Sequence, residues 1–193
     1  MLTREEIIRI FKEKEVMLEG HFLLTSGRHS DKYMQCAKLF QYADTSELIC
    51  KQLAQQFDGF DVQMVVGPAV GGIIMAYEMS RQFGVKNVFA ERENGKMTLR
   101  RGFVVPKGTK VLVTEDVVTT GGSVKEVIAL LNELGAEVVG VGSVVDRSNG
   151  KVTFGVPFKA VLAMEVVSYD PQNCPLCIEG KLPAMKPGSR ELK

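Results

Sequence analysis

The stretch that decides the fold is residues 111–135, VLVTEDVVTTGGSVKEVIALLNELG. It begins as an apolar run of strand length, passes through an acidic pair and a Thr/Gly loop, and continues as an amphipathic helix with a glycine at its end. Residues 64–83, MVVGPAVGGIIMAYEMSRQF, repeat that order, and VVGVGSVVDR at 138–147 supplies a third strand. Two consecutive strand–loop–helix units predict a parallel sheet buried on both faces, with ligand loops at the carboxyl ends of its strands.

Outward from this stretch, the whole chain is consistent with one domain over residues 1–193. Its length and its 45% hydrophobic and 24% charged residues suffice for a single core. We predict an α/β domain with a central, mainly parallel sheet of about five strands flanked by helices. Residues 1–45 depart from the alternation: a helix over 3–15, capped by Thr3 and Glu6, precedes short extended pieces, and another helix follows near 44–57.

The charge balance excludes several classes of partner. The formal net charge is only +1, so no global field favours nucleic acid or an anionic membrane surface. The N-terminus interleaves charges with apolar residues, unlike a signal peptide, and no apolar run approaches the roughly 18 residues of a membrane span. We therefore expect a cytoplasmic protein.

The cysteines, at positions 36, 50, 174 and 177, include one CxxC, in NCPLC. A structural zinc site needs four ligands, and neither a second CxxC nor a histidine near this motif in the sequence completes one. Two chains could supply four thiolates across a symmetric interface; the interpretation we favour is a plain turn with free thiols. His21 and His29 are expected at the surface, because no cysteine or carboxylate is spaced in the sequence to work with them.

The acidic pair and the loop after it predict a ligand site. Glu115 and Asp116 should lie where the strand leaves the sheet, and two buried carboxylates need a cation or the hydroxyls of a sugar. TTGGS at 119–123 offers free N–H groups at a helix N-terminus, which suits a phosphate, although its spacing is not that of a P-loop or a GxGxxG motif. Together they favour a ribose 5-phosphate over the alternative, a solvated strand end whose acid caps a helix.

A basic segment, ERENGKMTLRRGF at 91–103, lies between the two units. It carries Arg92, Lys96, Arg100 and Arg101 with few apolar anchors, which predicts a mobile two-stranded arm that could serve as a lid. Its own carboxylates are only Glu91 and Glu93, so we expect the cations to lack local partners. The alternative is an ordinary solvated hairpin.

These motifs together resemble a known family. VLVTEDVVTTGGS resembles the phosphoribosyl diphosphate signature of type I phosphoribosyltransferases. With TSGRHSDKYMQ, GPAVGG, the basic segment, DR at 146–147 and the CPLC…KPGSR tail, most of the chain resembles the orotate phosphoribosyltransferases. The resemblance implies Mg²⁺-dependent transfer of phosphoribosyl from phosphoribosyl diphosphate to orotate, giving orotidine 5′-monophosphate and pyrophosphate in the synthesis of UMP. It also implies the type I phosphoribosyltransferase fold, in which residues 1–45 form a small hood over the pyrimidine.

The resemblance also implies roles for individual residues. Glu115 and Asp116 would hold the ribose hydroxyls. The Mg²⁺ would be bound through the substrate or by these same two carboxylates. The 5-phosphate would be wrapped by Thr119, Thr120, Gly121, Gly122 and Ser123.

On the pyrophosphate side, backbone N–H groups at Ala69, Val70 and Gly71 would face the leaving group, in a turn that in this family often contains a strained non-proline peptide. Arg92 and Lys96 would reach it from the partner subunit of a homodimer. With Asp116 they form the implied catalytic set.

On the base side, the implied orotate contacts are Thr119 and Arg147, together with Thr25, Ser26 and Gly27 of the hood.

The sequence departs from the better-studied bacterial members at the pyrophosphate side. Thr25 and Gly71 stand where those enzymes have lysines, Glu93 replaces another loop residue, and the loop has no histidine. No catalytic histidine is therefore inferred, and catalysis would rest on placed charges and exclusion of water. Two alternatives stay open: the same chemistry on a purine or other base, and a regulator that senses phosphoribosyl diphosphate without turnover and binds RNA or DNA.

Overall fold

A computed structural model of the chain describes residues 1–24 and 26–187. The helices are α1 Arg4–Glu13, α2 Ala43–Gln55, α3 Gly71–Phe83, α4 Gly122–Glu133 and α5 Pro175–Glu179. The strands are β1 Met17–Leu23, β2 His29–Met34, β3 Met64–Pro68, β4 Lys86–Glu93, β5 Lys96–Leu99, β6 Lys110–Val118, β7 Glu137–Asp146 and β8 Phe158–Ala163.

The central sheet has six strands in the order β5-β4-β3-β6-β7-β8. All neighbours are parallel except β5, which pairs antiparallel with β4. The prediction of an α/β domain with a mainly parallel sheet is confirmed, with five parallel strands and one more contributed by the basic segment. From β3 the chain proceeds to β4 on one side and then to β6 on the other, so the loops after β3 and β6 flank the point where such sheets bind ligands.

The sheet is buried on both faces, which explains the continuous apolar runs of its strands. Val65 and Leu112 contribute to one hydrophobic core together with α1, α2 and α3. Their sequence neighbours Val66 and Val113 point to the other face and pack with α4 in a second core. Met64, Met75 and Met79 are buried in these cores.

The helix ends follow their local signals. The capping box of α1 is present: the Glu6 N–H donates to Thr3 Oγ1 (3.2 Å) and the Thr3 N–H donates to Glu6 Oε2 (2.8 Å). Gly135, just after α4, has φ +76°, as a C-terminal glycine should. The helices predicted over 3–15 and 44–57 correspond to α1 and α2, and each ends two residues before its predicted end. No helix in the described part of the chain is long and apolar enough to span a membrane.

The N-terminal hood contains a separate two-stranded sheet, β1 with β2. The C-terminal segment pairs with it: His29 and Tyr169 exchange backbone hydrogen bonds of 2.9 and 2.7 Å, and Met185 exchanges two of 2.8 Å with Leu23 and His21. The backbone around Tyr169 and Met185 thus completes the hood. Residues 188–193 lie outside the described residues.

Candidate active site

The acidic pair lies within the last part of β6 rather than after it. The strand runs on to Val118, and Glu115 pairs in register with Ser143 of β7. The expected exit at residue 115 is thus three residues early, because β7 continues to offer hydrogen bonds at that point. Glu115 and Asp116 are half-buried at the carboxyl edge of the sheet.

No cation of the described residues forms an ion pair with either carboxylate. Burial raises the pKa of Glu115 to about 9, and the neighbouring Asp116 carboxyl adds to the shift. Asp116 Oδ1 accepts a hydrogen bond from the Val117 N–H at 2.8 Å. Neither acid caps a helix, since the N-cap residue of α4 is Gly121 and no side chain caps that helix. The pair is therefore a buried acidic group suited to hydroxyl donors or a cation.

The Thr/Gly loop forms a cavity of about 200 Å³ at the start of α4. Gly121 has φ +73°, and a Cβ there would lie 2.8 Å from the Phe154 ring, so both conformation and space require glycine. The first N–H groups of α4 have no side-chain cap and can bind an anion. All five predicted phosphate residues line this cavity together with Glu115; they are Thr119, Thr120, Gly121, Gly122 and Ser123.

The turn after β3 lies directly against the acidic pair. A Cβ at Gly71 would lie 2.7 Å from Asp116 Oδ2, so glycine is needed there for the carboxylate to keep its position. The peptide bond between Ala69 and Val70 is cis, and the Val70 side chain is exposed. The turn and the acidic pair, separated by more than forty residues in the sequence, thus form one continuous surface.

A larger cavity, about 640 Å³, lies between the hood and the sheet. It joins the acidic edge to the base side, because Asp116, Thr119 and Arg147 all line it. The hood contributes Ser26, one of the implied orotate contacts, and Tyr33 to the lining. Gly27, at φ +77°, forms the adjoining turn, and Thr25 lies outside the described residues.

Arg147 is a half-buried cation with no ion-pair partner among the described residues. Its Nε is buried without a hydrogen-bond partner, and burial lowers the pKa of the guanidinium. The neighbouring carboxylate, Asp146, instead accepts hydrogen bonds of 2.8 Å from the backbone N–H groups of Ser148 and Gly150. Arg147 is thus free to bind an anion in the larger cavity.

The residues of this cavity that the sequence analysis missed include Cys36, Ser168 and Lys186. Only Lys186 had a signal, as the first residue of the KPGSR tail. Ser168 also anchors the hood, since Arg28 donates hydrogen bonds to its Oγ (2.8 Å) and its carbonyl (2.6 Å). Ser168 and Lys186 reach the cavity because the C-terminal segment pairs with the hood, and no local sequence pattern encodes that pairing.

The basic segment forms the β4–β5 hairpin, with Asn94 and Gly95 at positive φ in its turn. The two-stranded arm is therefore present, but the expectation that its cations lack local partners is wrong, because α4 supplies two carboxylates. The four ion pairs, with one N–O distance each, are Arg92–Glu126 (2.7 Å), Lys96–Glu133 (3.9 Å), Arg100–Glu93 (3.3 Å) and Arg101–Glu91 (3.0 Å).

A second group of polar side chains lies in the hood. His21 and His29 are buried beside Cys174 and Cys177. The expectations that both histidines are surface residues, and that no histidine of this chain approaches the CxxC, are wrong because the hood pairs with the C-terminal segment.

Comparison with known proteins identifies the family. Residues 41–153 match the model of the phosphoribosyl transferase domain. The chain is 56% identical over 191 residues to the orotate phosphoribosyltransferase of Caldanaerobacter subterraneus subsp. tengcongensis, covering 99% of this chain and 100% of the relative. It is 58% identical over 190 residues to that of a Thermoanaerobacter species, covering 98% and 100%.

A solved structure supports the fold independently. The crystal structure of orotate phosphoribosyltransferase from Aeropyrum pernix superposes with a TM-score of 0.70 at 24% identity, over 82% of this chain and 93% of that one. At 24% identity this likeness supports the fold alone. The family is shown by the two relatives that are more than 50% identical over nearly the full length. The chain belongs to the phosphoribosyltransferases and, within them, to the orotate phosphoribosyltransferase family.

Proposed function

We propose that this protein transfers the 5-phosphoribosyl group from phosphoribosyl diphosphate to orotate, releasing orotidine 5′-monophosphate and pyrophosphate in pyrimidine nucleotide synthesis. The observation that carries this proposal is the unpaired Arg147 in a cavity shared with Asp116 and Thr119. A cation there would bind the carboxylate of orotate beside the ribose site. A neutral purine would leave that cation without a partner.

The ribose 5-phosphate would be held by the carboxyl edge of β6. The 5-phosphate would bind in the 200 Å³ cavity, where the N–H groups of residues 121–123 lie at the N-terminus of α4. Glu115 and Asp116 would accept hydrogen bonds from the ribose hydroxyls. Such donors favour the ionised form of Glu115, whose pKa burial raises to about 9, so binding would release a proton near neutral pH.

The residues present fit a Mg²⁺ that is bound mainly through the substrate. Glu115 and Asp116 offer hard oxygen ligands, but two carboxylates alone are fewer than the six ligands that this ion requires. Oxygens of the pyrophosphate and ribose would complete the set. When bound, the ion would neutralise charge on the departing pyrophosphate.

The leaving group would be stabilised by placed charges of the protein. Backbone groups at Ala69, Val70 and Gly71 would face it, and Arg92 and Lys96 would be supplied by the partner subunit of a homodimer. The Lys96 side chain is 78% exposed and its pair with Glu133 is long, 3.9 Å. Exposed pairs contribute only about 0–1 kcal/mol, so a pyrophosphate can displace them. The hairpin has no histidine, and we assign no general acid.

A panel of bases tests the substrate. The full chain is incubated with phosphoribosyl diphosphate, Mg²⁺ and, separately, orotate, uracil, adenine or hypoxanthine, and the loss of each base is followed. We expect consumption of orotate alone and loss of turnover when Mg²⁺ is omitted. Consumption of a purine but not orotate would overturn the substrate, and consumption of none would support the sensing regulator.

Mixing two inactive variants tests whether the hairpin is shared. Lys96→Ala and Asp116→Asn are unfolded and refolded together, and turnover is compared with each variant alone. A hairpin reaching the partner's site would rebuild one intact site in each heterodimer, giving about a quarter of wild-type activity. A hairpin serving its own chain would rebuild none, and the mixture would stay inactive.

A further inference from the structure

The strongest feature outside the active site is the cluster formed by His21, His29, Cys174 and Cys177. One ligand-type atom from each lies within 4.8 Å of the others. Two of these residues come from paired strands β1 and β2, and two from the CxxC at α5. None of the four lines the larger cavity, so the cluster has no part in the proposed chemistry.

The distances within the cluster agree with a tetrahedral ion. His21 Nε2 lies 2.8 Å from His29 Nδ1 and 3.7 Å from the sulfur of each cysteine, and Cys177 Sγ lies 3.3 Å from His29 Nδ1. Zinc bonds of about 2.3 Å to sulfur and about 2.0–2.1 Å to nitrogen imply ligand separations of roughly 3.3–3.8 Å. Small rotations of the imidazole rings would bring the nitrogens to that spacing.

Hydrogen bonding alone does not account for this convergence. His21 Nδ1 lies 2.9 Å from the Leu182 carbonyl, so it carries the proton and leaves Nε2 as a lone pair. That single lone pair faces three groups at once: one ring nitrogen and two sulfurs. A shared cation satisfies all of them, and the Leu182 carbonyl is the kind of outer partner that orients metal-bound histidines.

The surrounding segment needs such an anchor. Among residues 164–187, Cys174 is the only buried one, and the regular structure there amounts to two isolated bridges and two short helices. The β1–β2 pair is itself a two-stranded sheet, which is marginal without further support. A metal bond between the two would supply the stability that apolar burial does not.

We propose that the four side chains form a structural Zn²⁺ site that ties the hood to the C-terminal segment within one chain. Two thiolates and two imidazoles select zinc over the hard cations Mg²⁺ and Ca²⁺, and four protein ligands leave no open position for catalysis. The site does not rest on the proposed reaction.

Metal analysis of the full chain, purified under reducing conditions without chelators, tests the site. We expect one zinc per chain in the wild type, less than about a tenth of that in Cys177→Ser, and full occupancy in Cys50→Ala, whose thiol lies in the core away from the cluster. Chelation of the wild type should lower Tm by roughly 5–10 °C and speed proteolysis in residues 163–187, and zinc but not Mg²⁺ should restore both.

Co²⁺ exchange into the wild type provides a measurement that does not depend on a variant folding. Tetrahedral thiolate coordination should produce intense visible absorption with a sulfur-to-cobalt charge-transfer band. A reduced wild-type chain that stays metal-free with added zinc, or a Cys174–Cys177 disulfide in the purified protein, would overturn the site. One zinc per two chains would overturn the single-chain ligand set, and iron in its place would overturn the identity of the ion.

Discussion

The two sides of the active site carry their charges in opposite ways. On the sheet side, Glu115, Asp116 and Arg147 are half-buried and form no ion pair among the described residues. On the hairpin side, Arg92 and Lys96 are largely exposed and paired with carboxylates of α4. Unpaired buried charges cost folding free energy, whereas exposed pairs are nearly neutral. The comparison teaches that the proposed binding groups of the sheet side lower the stability of the fold, whereas those of the hairpin do not.

Lys96→Ala should cause the largest loss of activity while leaving the stability of the fold almost unchanged. Loss of one preorganised charge near the leaving group lowers turnover by about 100- to 1,000-fold. Because the side chain is 78% exposed, Tm should stay within about 2 °C of the wild type. Steady-state kinetics and thermal unfolding measure the two effects, with Lys12→Ala as a matched control because Lys12 forms a similar exposed pair with Glu19. Unchanged turnover in a folded variant would remove Lys96 from the site.

Arg147→Met should weaken orotate binding and leave stability unchanged or higher. Removing one partner of a desolvated charge pair costs about 2–5 kcal/mol, so KM for orotate should rise by roughly a hundredfold while KM for phosphoribosyl diphosphate changes little. Stability benefits because the buried guanidinium has no partner in the free protein. Arg147→Lys keeps the charge but loses the planar guanidinium, so its KM for orotate should lie between those of the wild type and Arg147→Met. An equal rise in both KM values would argue that Arg147 only supports the fold.

How well each part of the site could be predicted depends on whether its residues are contiguous in the sequence or are brought together only by the fold. The strand, the acidic pair at its carboxyl end and the Thr/Gly loop before a helix were predicted because residues 111–123 carry all of them in one stretch. The hairpin was predicted too, but its partners Glu126 and Glu133 were not, because only the fold brings α4 beside it.

The cluster in the hood was missed because about 150 residues separate its histidines from its cysteines. A usable signal existed: both histidines of the chain lie eight residues apart, on strands that pair antiparallel. A search for hairpin histidines that could face the CxxC would have proposed a complete ligand set.

Glu115→Gln tests the cost of the buried acid through its pH dependence. The folded pKa of about 9 lies above the unfolded value near 4.5, so the folded state binds the extra proton, and wild-type stability falls as pH rises between these values. Glutamine has no such proton, so the variant should gain Tm over the wild type by roughly 4–8 °C at pH 8 and by much less at pH 5.

Activity of Glu115→Gln should nevertheless fall by about tenfold, because a neutral amide is a weaker acceptor for ribose hydroxyls. Unfolding scans from pH 5 to 9 measure the stability effect, and Glu137→Gln, an exposed acid at the start of β7, serves as the control. A stability difference that does not vary with pH would contradict a raised pKa for Glu115.

The smallest expected effect lies on the hairpin side, where Arg92 pairs with Glu126 of α4. If that pair competes with pyrophosphate for the guanidinium, Glu126→Gln should lower KM for phosphoribosyl diphosphate by up to about fivefold, the equivalent of an exposed pair worth up to about 1 kcal/mol. The advantage should fade at high salt, because salt screens exposed pairs. Kinetics at two ionic strengths measure it, with Glu133→Gln as the matched change at the longer Lys96 pair. A rise in KM would mean instead that the pair holds Arg92 ready for the ligand.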